Sequence, residues 1–189
     1  EGKSPTVSSP TIGQSGTLRV GVNTEKSPLA GMSSDGERII GIDVDVAAAI
    51  ADELGLKLSI VDVGSDPAGA LSNGKVDIVM DIDSSDAPSG VWVSERYVPT
   101  GIALFALSSS QSGLPTANAQ SSIAAQLSST SAWAVSNTYG DSSLKSVASL
   151  SDAFSQLSSG SVKYVAADAI IGMYAAHGAG VDVEIVGML

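Results

Sequence analysis

The sequence predicts an α/β protein of two lobes, each a mainly parallel sheet flanked by helices. Three observations carry this. Five strand and helix patterns alternate between Thr17 and Ile82, and such strand–helix–strand units form right-handed parallel pairs. Val76–Ile82 is a nearly continuous apolar run, as in a strand covered on both faces. After a further apolar run, Thr100–Leu107, the alternation begins again and continues to Val186. That strand is expected to cross between lobes. The expected division is a flexible N-terminal tether over 1–15, lobe 1 over 16–100, and the crossover strand with lobe 2 over 101–189.

The composition narrows the function. The chain has 189 residues, room for two small lobes. Aromatics are only 4%, so the core must be Val, Ile, Leu and Ala. A formal net charge of −11 argues against nucleic acid, because nothing would neutralise phosphates, and disfavours anionic lipid. With no Cys and His177 as the single His, disulfides, thiolate metal sites and multi-His metal sites are excluded. No cofactor and no metal are expected. No apolar run approaches the roughly 20 residues of a membrane span.

The elements follow in order. Residues 1–15, rich in Ser, Pro, Thr and Gly, read as a flexible tether. Thr17–Val22 is a strand, and Asn23–Glu37 is a loop with Pro28 and Gly36. Asp43–Leu54 is a helix with Val46, Ala47, Ile50, Ala51 and Leu54 on one face, stopped by Gly55. Lys57–Val63 is a strand, and Asp66–Asn73 a short helix closed by Gly74. Ser108–Ser131, with nine Ser in 24 residues, reads as surface loop plus one weak helix over Ala119–Leu127. Ala132–Val135 then reads as a strand and Tyr139–Val147 as helical. Ser149-Leu-Ser-Asp152 resembles a capping box with Asp for the usual Glu, opening a helix through Leu157 that Gly160 ends. Val162–Ala167 is a strand running into a helix over Asp168–His177, and Val183–Val186 is the last strand. Trp92 and Trp133 read as strand or packing residues.

Three segments carry a resemblance: Gly16-Thr-Leu-Arg-Val-Gly-Val22, Gly41-Ile-Asp-Val-Asp-Val46 with its helix, and Ser72-Asn-Gly-Lys-Val-Asp-Ile-Val-Met80. In this order they resemble the first lobe of the type II extracellular solute-binding proteins, family 3, which deliver amino acids and related polar solutes to ABC transporters. The resemblance implies a periplasmic-binding-protein-like fold that closes on a small polar solute, with a membrane permease as partner. It implies an extracytoplasmic location and, by analogy with Gram-positive members, a lipid-modified Cys that is not in this sequence.

Ligands of open α/β sheets sit beyond the carboxyl ends of strands, near helix N-termini. Four loops qualify: Asn23–Leu29, Asp81–Ser89, Ser136–Gly140, and the one beginning at Asp168. The candidate ligand-binding residues are Asn23, Leu29, Asp81, Asp83, Ser84, Ser85, Asn137, Thr138, Tyr139 and Asp168. Asp168 matches the family aspartate that pairs with a ligand ammonium. It equally reads as a helix N-cap, and the two roles are compatible. Ser136-Asn-Thr-Tyr-Gly140 stands where the family has a Gly-Thr-Thr-like turn, or is an ordinary turn and cap.

Asp81-Ile-Asp-Ser-Ser-Asp-Ala-Pro-Ser89 departs from the family. The family's carboxylate-gripping Arg falls at Ala87 or Pro88, and the nearest Arg is Arg96, a substitute anchor or a partner of Glu95. Asp81, Asp83 and Asp86 would repel a carboxylate, or else face solvent and cap the turn. As a calcium loop the run lacks the EF-hand spacing and its Gly. Leu29 follows Pro28 where the family has Pro-Phe, so an aromatic platform is missing.

Capture of a small polar solute, amino-acid-like or cationic, is the first functional expectation. A degenerate fold serving as a sensor or protein-interaction module is the alternative. An enzyme is set aside, because no Cys and a single His leave little acid–base or triad chemistry. Family members continue beyond a strand like Val183–Val186 with segments that return to lobe 1. Either the sequence is a fragment or lobe 1 is incomplete, and an incomplete lobe 1 would expose apolar surface and a strand edge, favouring self-association.

Overall fold

The computed structural model describes residues 2–115 and 122–189. The chain divides into two compact units, one ending at Glu95 and the other beginning at Arg96. Each has its own sheet.

Unit 1 contains β1 (Thr17–Val22), a two-residue ribbon of β2 (Gly31–Met32) and β3 (Ile39–Ile40), α1 (Ile42–Leu54), β4 (Lys57–Asp62), α2 (Pro67–Ser72) and β5 (Ile78–Val79). The main sheet has the order β4-β1-β5 and is parallel throughout, with Val20 opposite both Ile60 and Ile78. Leu18, Val20 and Val22 of the central strand pack with Ala47, Ala51 and Met80. The face foreseen for α1 is the one that packs: Ala47 and Ala51 are covered, and Val46, Ile50 and Leu54 flank them. Gly55 ends α1 in the left-handed region at φ 69°, where glycine has no Cβ penalty. β5 is shorter than its apolar run, yet Asp77 N–H still donates to Arg19 O (2.8 Å) and Met80 N–H to Gly21 O (2.9 Å).

The N-terminal segment is not a free tether. Ile12 is 5% exposed and joins the unit 1 core, with Val7 packed against it. Thr6 N–H donates to Leu54 O at 3.0 Å, and Gly13 N–H to Asp77 Oδ1 at 2.8 Å. At Gly55 any side chain would collide with the Ser4 carbonyl, so the strap crosses that glycine. The Ser- and Pro-rich average hid two apolar residues that gain by burial.

Unit 2 contains β6 (Ile102–Leu107), β7 (Ile123–Gln126), α3 (Thr130–Tyr139), β8 (Leu144–Val147), α4 (Leu150–Ser158), β9 (Tyr164–Asp168), α5 (Ala169–Gly178) and β10 (Val183–Met188). Its sheet order is β10-β6-β9-β7-β8, with β7, β8 and β9 parallel and β6 antiparallel to both neighbours. The carboxyl ends of β7, β8, β9 and β10 therefore share one edge with the amino end of β6. One core cluster includes Phe105 and Phe154, edge to face at 5.6 Å and 80°, a favoured aromatic geometry. Another gathers Leu104, Ile123, Val135 and Tyr164.

Three expectations for unit 2 are corrected. The weak helix over Ala119–Leu127 begins on residues outside the described ones, and its described part holds the strand β7. Ala132–Val135 is the middle of helix α3, not a strand. Tyr139–Val147 is the last residue of that helix, a short 3-10 turn and the strand β8. A four-residue apolar run does not by itself distinguish a buried strand from a helix, and the capping residue Ser129 decides this one. Trp92 and Trp133 are not packing residues either, being 84% and 70% exposed. Among the described residues no helix is long and apolar enough to cross a membrane.

Candidate functional site

The carboxyl edge of the unit 1 sheet is formed by the loops after β1, β4 and β5. In the order β4-β1-β5 the chain leaves β1 toward one side and reaches β5 on the other, so the strand order reverses between β1 and β5. Such a switch point is where open α/β sheets form a binding crevice. The loop after β1 opens with an Asx turn, Asn23 Oδ1 accepting from Glu25 N–H at 3.0 Å. Thr24 Oγ1 donates to Asp62 Oδ2 at 2.6 Å, and Gly64 N–H to Asp62 Oδ1 at 3.0 Å. The Thr24 hydroxyl, aided by the backbone amides, holds the Asp62 carboxyl below its ordinary pKa. Lys26 and Asp81 form an ion pair across the reversal, Nζ to Oδ2 2.9 Å. Asp81 has φ 55°, a left-handed conformation uncommon for residues other than glycine. Asp83 caps the 3-10 turn Ser84–Asp86, accepting from Ser85 N–H (3.0 Å) and Ser85 Oγ (2.9 Å).

The shared edge of unit 2 carries three helix N-termini. Ser129 caps α3 and Ser149 caps α4, each accepting from a backbone N–H at 3.1 Å. Asp168 caps α5, its Oδ1 accepting from Ile170 N–H (3.0 Å) and Ile171 N–H (2.9 Å). Its Oδ2 accepts from Thr100 Oγ1 at 2.6 Å. Free first-turn amides and aligned helix dipoles make such an edge receptive to negative charge. A surface hollow of about 260 Å³ beside Met173, His177 and Asp182 lies near the opposite end of α5 and shares none of these groups. Among the described residues no group of three or more His, Asp or Glu is arranged to hold a metal ion.

The model of the bacterial extracellular solute-binding proteins, family 3, matches residues 18–154, well over half the chain. The chain belongs to that family. Among solved structures it is similar to an ancestral cationic amino-acid solute-binding protein, AncCDT-1, at 27% identity and TM-score 0.76, over 92% of this chain and 77% of that one. Another structure of AncCDT-1, described as a precursor of cyclohexadienyl dehydratase, matches at 26% identity and TM-score 0.67, over 92% and 78%. The arginine-bound Gly52Ala mutant of ArgBP from T. maritima matches at 25% identity and TM-score 0.64, over 92% and 83%. No curated protein matches the chain in sequence.

Within this family 3 fold, the candidate residues fall into three groups. Asn23, Asp81, Asp83, Ser84 and Ser85 lie at the carboxyl edge of unit 1, and Asp168 at that of unit 2. Leu29 is only 7% exposed, and its carbonyl accepts from Asp43 N–H at 2.8 Å; it is a buried residue of unit 1. Asn137, Thr138 and Tyr139 do not follow a strand. They form the last turn of α3, roughly 12 Å along the helix from its capped end at 1.5 Å per residue. Tyr139 packs beside the Leu104–Ile123 cluster, and burial, with Tyr164 nearby, raises its hydroxyl pKa.

A turn with three hydroxyl residues, Ser128-Ser129-Thr130, follows β7 after Leu127 and leads into α3, with Ser128 at φ 59°. Its signal was three hydroxyl residues following Ile-Ala-Ala-Gln-Leu127, masked by the abundance of Ser around it. Lys26, which pairs with Asp81 at this edge and was not among the expected residues, had the signal of a lone cation in the loop after the first strand.

Proposed function

We propose that this chain is the extracytoplasmic solute-binding component of an ABC importer, capturing a small polar solute of the amino-acid class, cationic in preference to acidic. The supporting observation is the acid-rich carboxyl edge of unit 1, where Asp62 ends β4, the loop after β5 carries Asp81, Asp83 and Asp86, and Lys26 pairs with Asp81. Such an edge disfavours a second carboxylate and tolerates an added positive charge. The amino-acid-binding neighbours support the same class. Binding rather than catalysis is the proposed activity, with a permease as membrane partner and a lipid anchor upstream holding the protein at the cell surface. Calorimetry with arginine, lysine and glutamate tests this. Arginine or lysine should bind at least tenfold more tightly than glutamate, and preference for glutamate would overturn the reading.

A second reading, a sensor or interaction module that kept the fold, is favoured by the exposed Trp92 and Trp133 and the missing guanidinium. It predicts that a well-folded sample gives no thermal shift with any amino acid. A ligand present at 100 times its Kd would stabilise by about 2.7 kcal/mol. Self-association through the unit 1 sheet edge belongs to this reading and is tested by light scattering.

A further inference from the structure

We propose that Lys26 is the carboxylate anchor of the solute site, standing in for the guanidinium absent from the Asp81–Ser89 loop; this rests on the solute-capture reading above. Among the unit 1 segments Asn23–Leu29, 63–66 and Asp81–Ser89, Lys26 is the single cationic side chain; Arg96 stands later in the chain, where unit 2 begins. It spans the reversal of strand order, from the loop after β1 to the loop after β5, where its Nζ meets Asp81 Oδ2 at 2.9 Å. Its backbone is fixed by a tight turn: Lys26 N–H donates to Asn23 O (3.3 Å), while Lys26 O accepts from Leu29 N–H (2.8 Å) and Ala30 N–H (3.3 Å). An ammonium has three N–H donors, and one contact to Asp81 leaves others to offer. The Lys26 side chain is 44% exposed and that of Asp81 30%, so the stem is partly covered and the head remains reachable.

Asp81 acts as the positioning residue. It holds the flexible lysine at the crevice, which reduces the side-chain entropy lost when a ligand binds. It also keeps a positive charge in an otherwise acidic edge. A solute with a carboxylate next to a cationic group meets charges of both signs here, whereas the same molecule without its carboxylate does not use Lys26. The specificity assigned to Lys26 is therefore α-amino acid over the corresponding amine.

The test is calorimetry on the full chain with three pairs: arginine and agmatine, lysine and cadaverine, histidine and histamine. The native protein is expected to prefer the amino acid in the pair it binds. Lys26→Gln should weaken that amino acid by about ten- to a hundredfold, as for one lost charge-assisted hydrogen bond, and leave the amine unchanged or tighter. Lys26→Arg should restore the preference. A matching melting temperature and circular dichroism spectrum for the variants would exclude misfolding as the cause. If the native protein binds a pair and Lys26→Gln keeps the same ratio, the role of Lys26 is overturned and solute capture stands. If no member of any pair binds the folded native protein, the capture reading fails and this inference fails with it.

Discussion

Arg19 and Asp77 clasp neighbouring parallel strands of unit 1, Nη2 to Oδ1 2.9 Å and Nε to Oδ2 3.3 Å. Asp77 Oδ2 also accepts from Arg19 N–H at 2.8 Å, and the Arg19 guanidinium donates to Gly74 O at 3.0 Å. With the Gly13 amide on Oδ1, the carboxylate joins the N-terminal strap, β1 and the entry to β5. The side chain of Asp77 is 6% exposed and that of Arg19 22%. The aspartate of the Gly-Lys-Val-Asp segment is therefore a structural clasp.

The first prediction concerns acid stability. Burial pushes the Asp77 carboxyl up, but the Arg19 side chain, two backbone amides and the guanidinium charge outweigh it, and its pKa is lowered. A folded-state pKa below the unfolded value of about 3.9 means the clasp contributes fully above that value. The contribution is lost as pH falls through the folded pKa. Asp77→Asn should cost about 2–3 kcal/mol near neutrality and flatten the acid limb of a melting-temperature profile between about pH 5 and 2. An acid limb as steep as the native one would show that other carboxylates dominate.

A second prediction separates the two roles of Asp168. Asp168→Ala removes both cap bonds of α5 and should cost about 1–2 kcal/mol. Asp168→Asn keeps an acceptor for the cap and should lower the melting temperature less, while weakening arginine binding by more than its stability loss accounts for. Unchanged affinity with a reduced melting temperature would leave Asp168 as a cap alone.

The third prediction lies in the unit 2 core. A Cβ at Gly172 would meet the Phe105 ring at 2.6 Å and the Ala167 Cβ at 3.1 Å. Gly172→Ala should cost about 1–3 kcal/mol from overpacking, despite the better helix propensity of Ala. Denaturant midpoints should show Phe105→Leu costing less in the Gly172→Ala background than alone, because the smaller side chain relieves the contact.

The fourth prediction addresses the turn after β7. Ser129 Oγ donates to Gln126 O at 2.6 Å and accepts from Ala132 N–H at 3.1 Å. Ser129→Ala should destabilise by about 1 kcal/mol, measured by urea titration. Thr138→Ala, in the exposed last turn of the same helix, should fall within about 0.5 kcal/mol of the native protein. The contrast tests which end of α3 depends on a side-chain hydroxyl for its stability.

Unit 1 was legible because its signals are local and redundant. Val46, Ala47, Ile50, Ala51 and Leu54 give one helical face, Gly55 gives the stop, and the alternating run Thr17–Val22 gives the strand that becomes β1. Much of unit 2 was legible as well: Ser149 and Asp168 both cap the helices expected of them. The region 123–147 was misread because its strands are short and Ala- or Lys-containing, while Ala132–Val135 is the most apolar run there. That one-element shift also placed Asn137, Thr138 and Tyr139 after an expected strand, whereas they end α3. The Lys26–Asp81 pair joins residues 55 apart in sequence, and only the parallel pairing of β1 with β5 brings their loops together.

The strap over residues 3–14 runs along the starts of β1, β4 and β5: Gly13 meets Asp77, Thr6 meets Leu54, and the Ser4 carbonyl lies over Gly55. Those positions mark the amino edge of the unit 1 sheet, opposite the loops that hold Lys26 and Asp81. A tag, fluorophore or surface linkage attached ahead of Gly2 therefore leaves unit 1 from its far side. Capture through that end orients the carboxyl edge outward, which makes N-terminal immobilisation the suitable format for binding assays on a sensor chip.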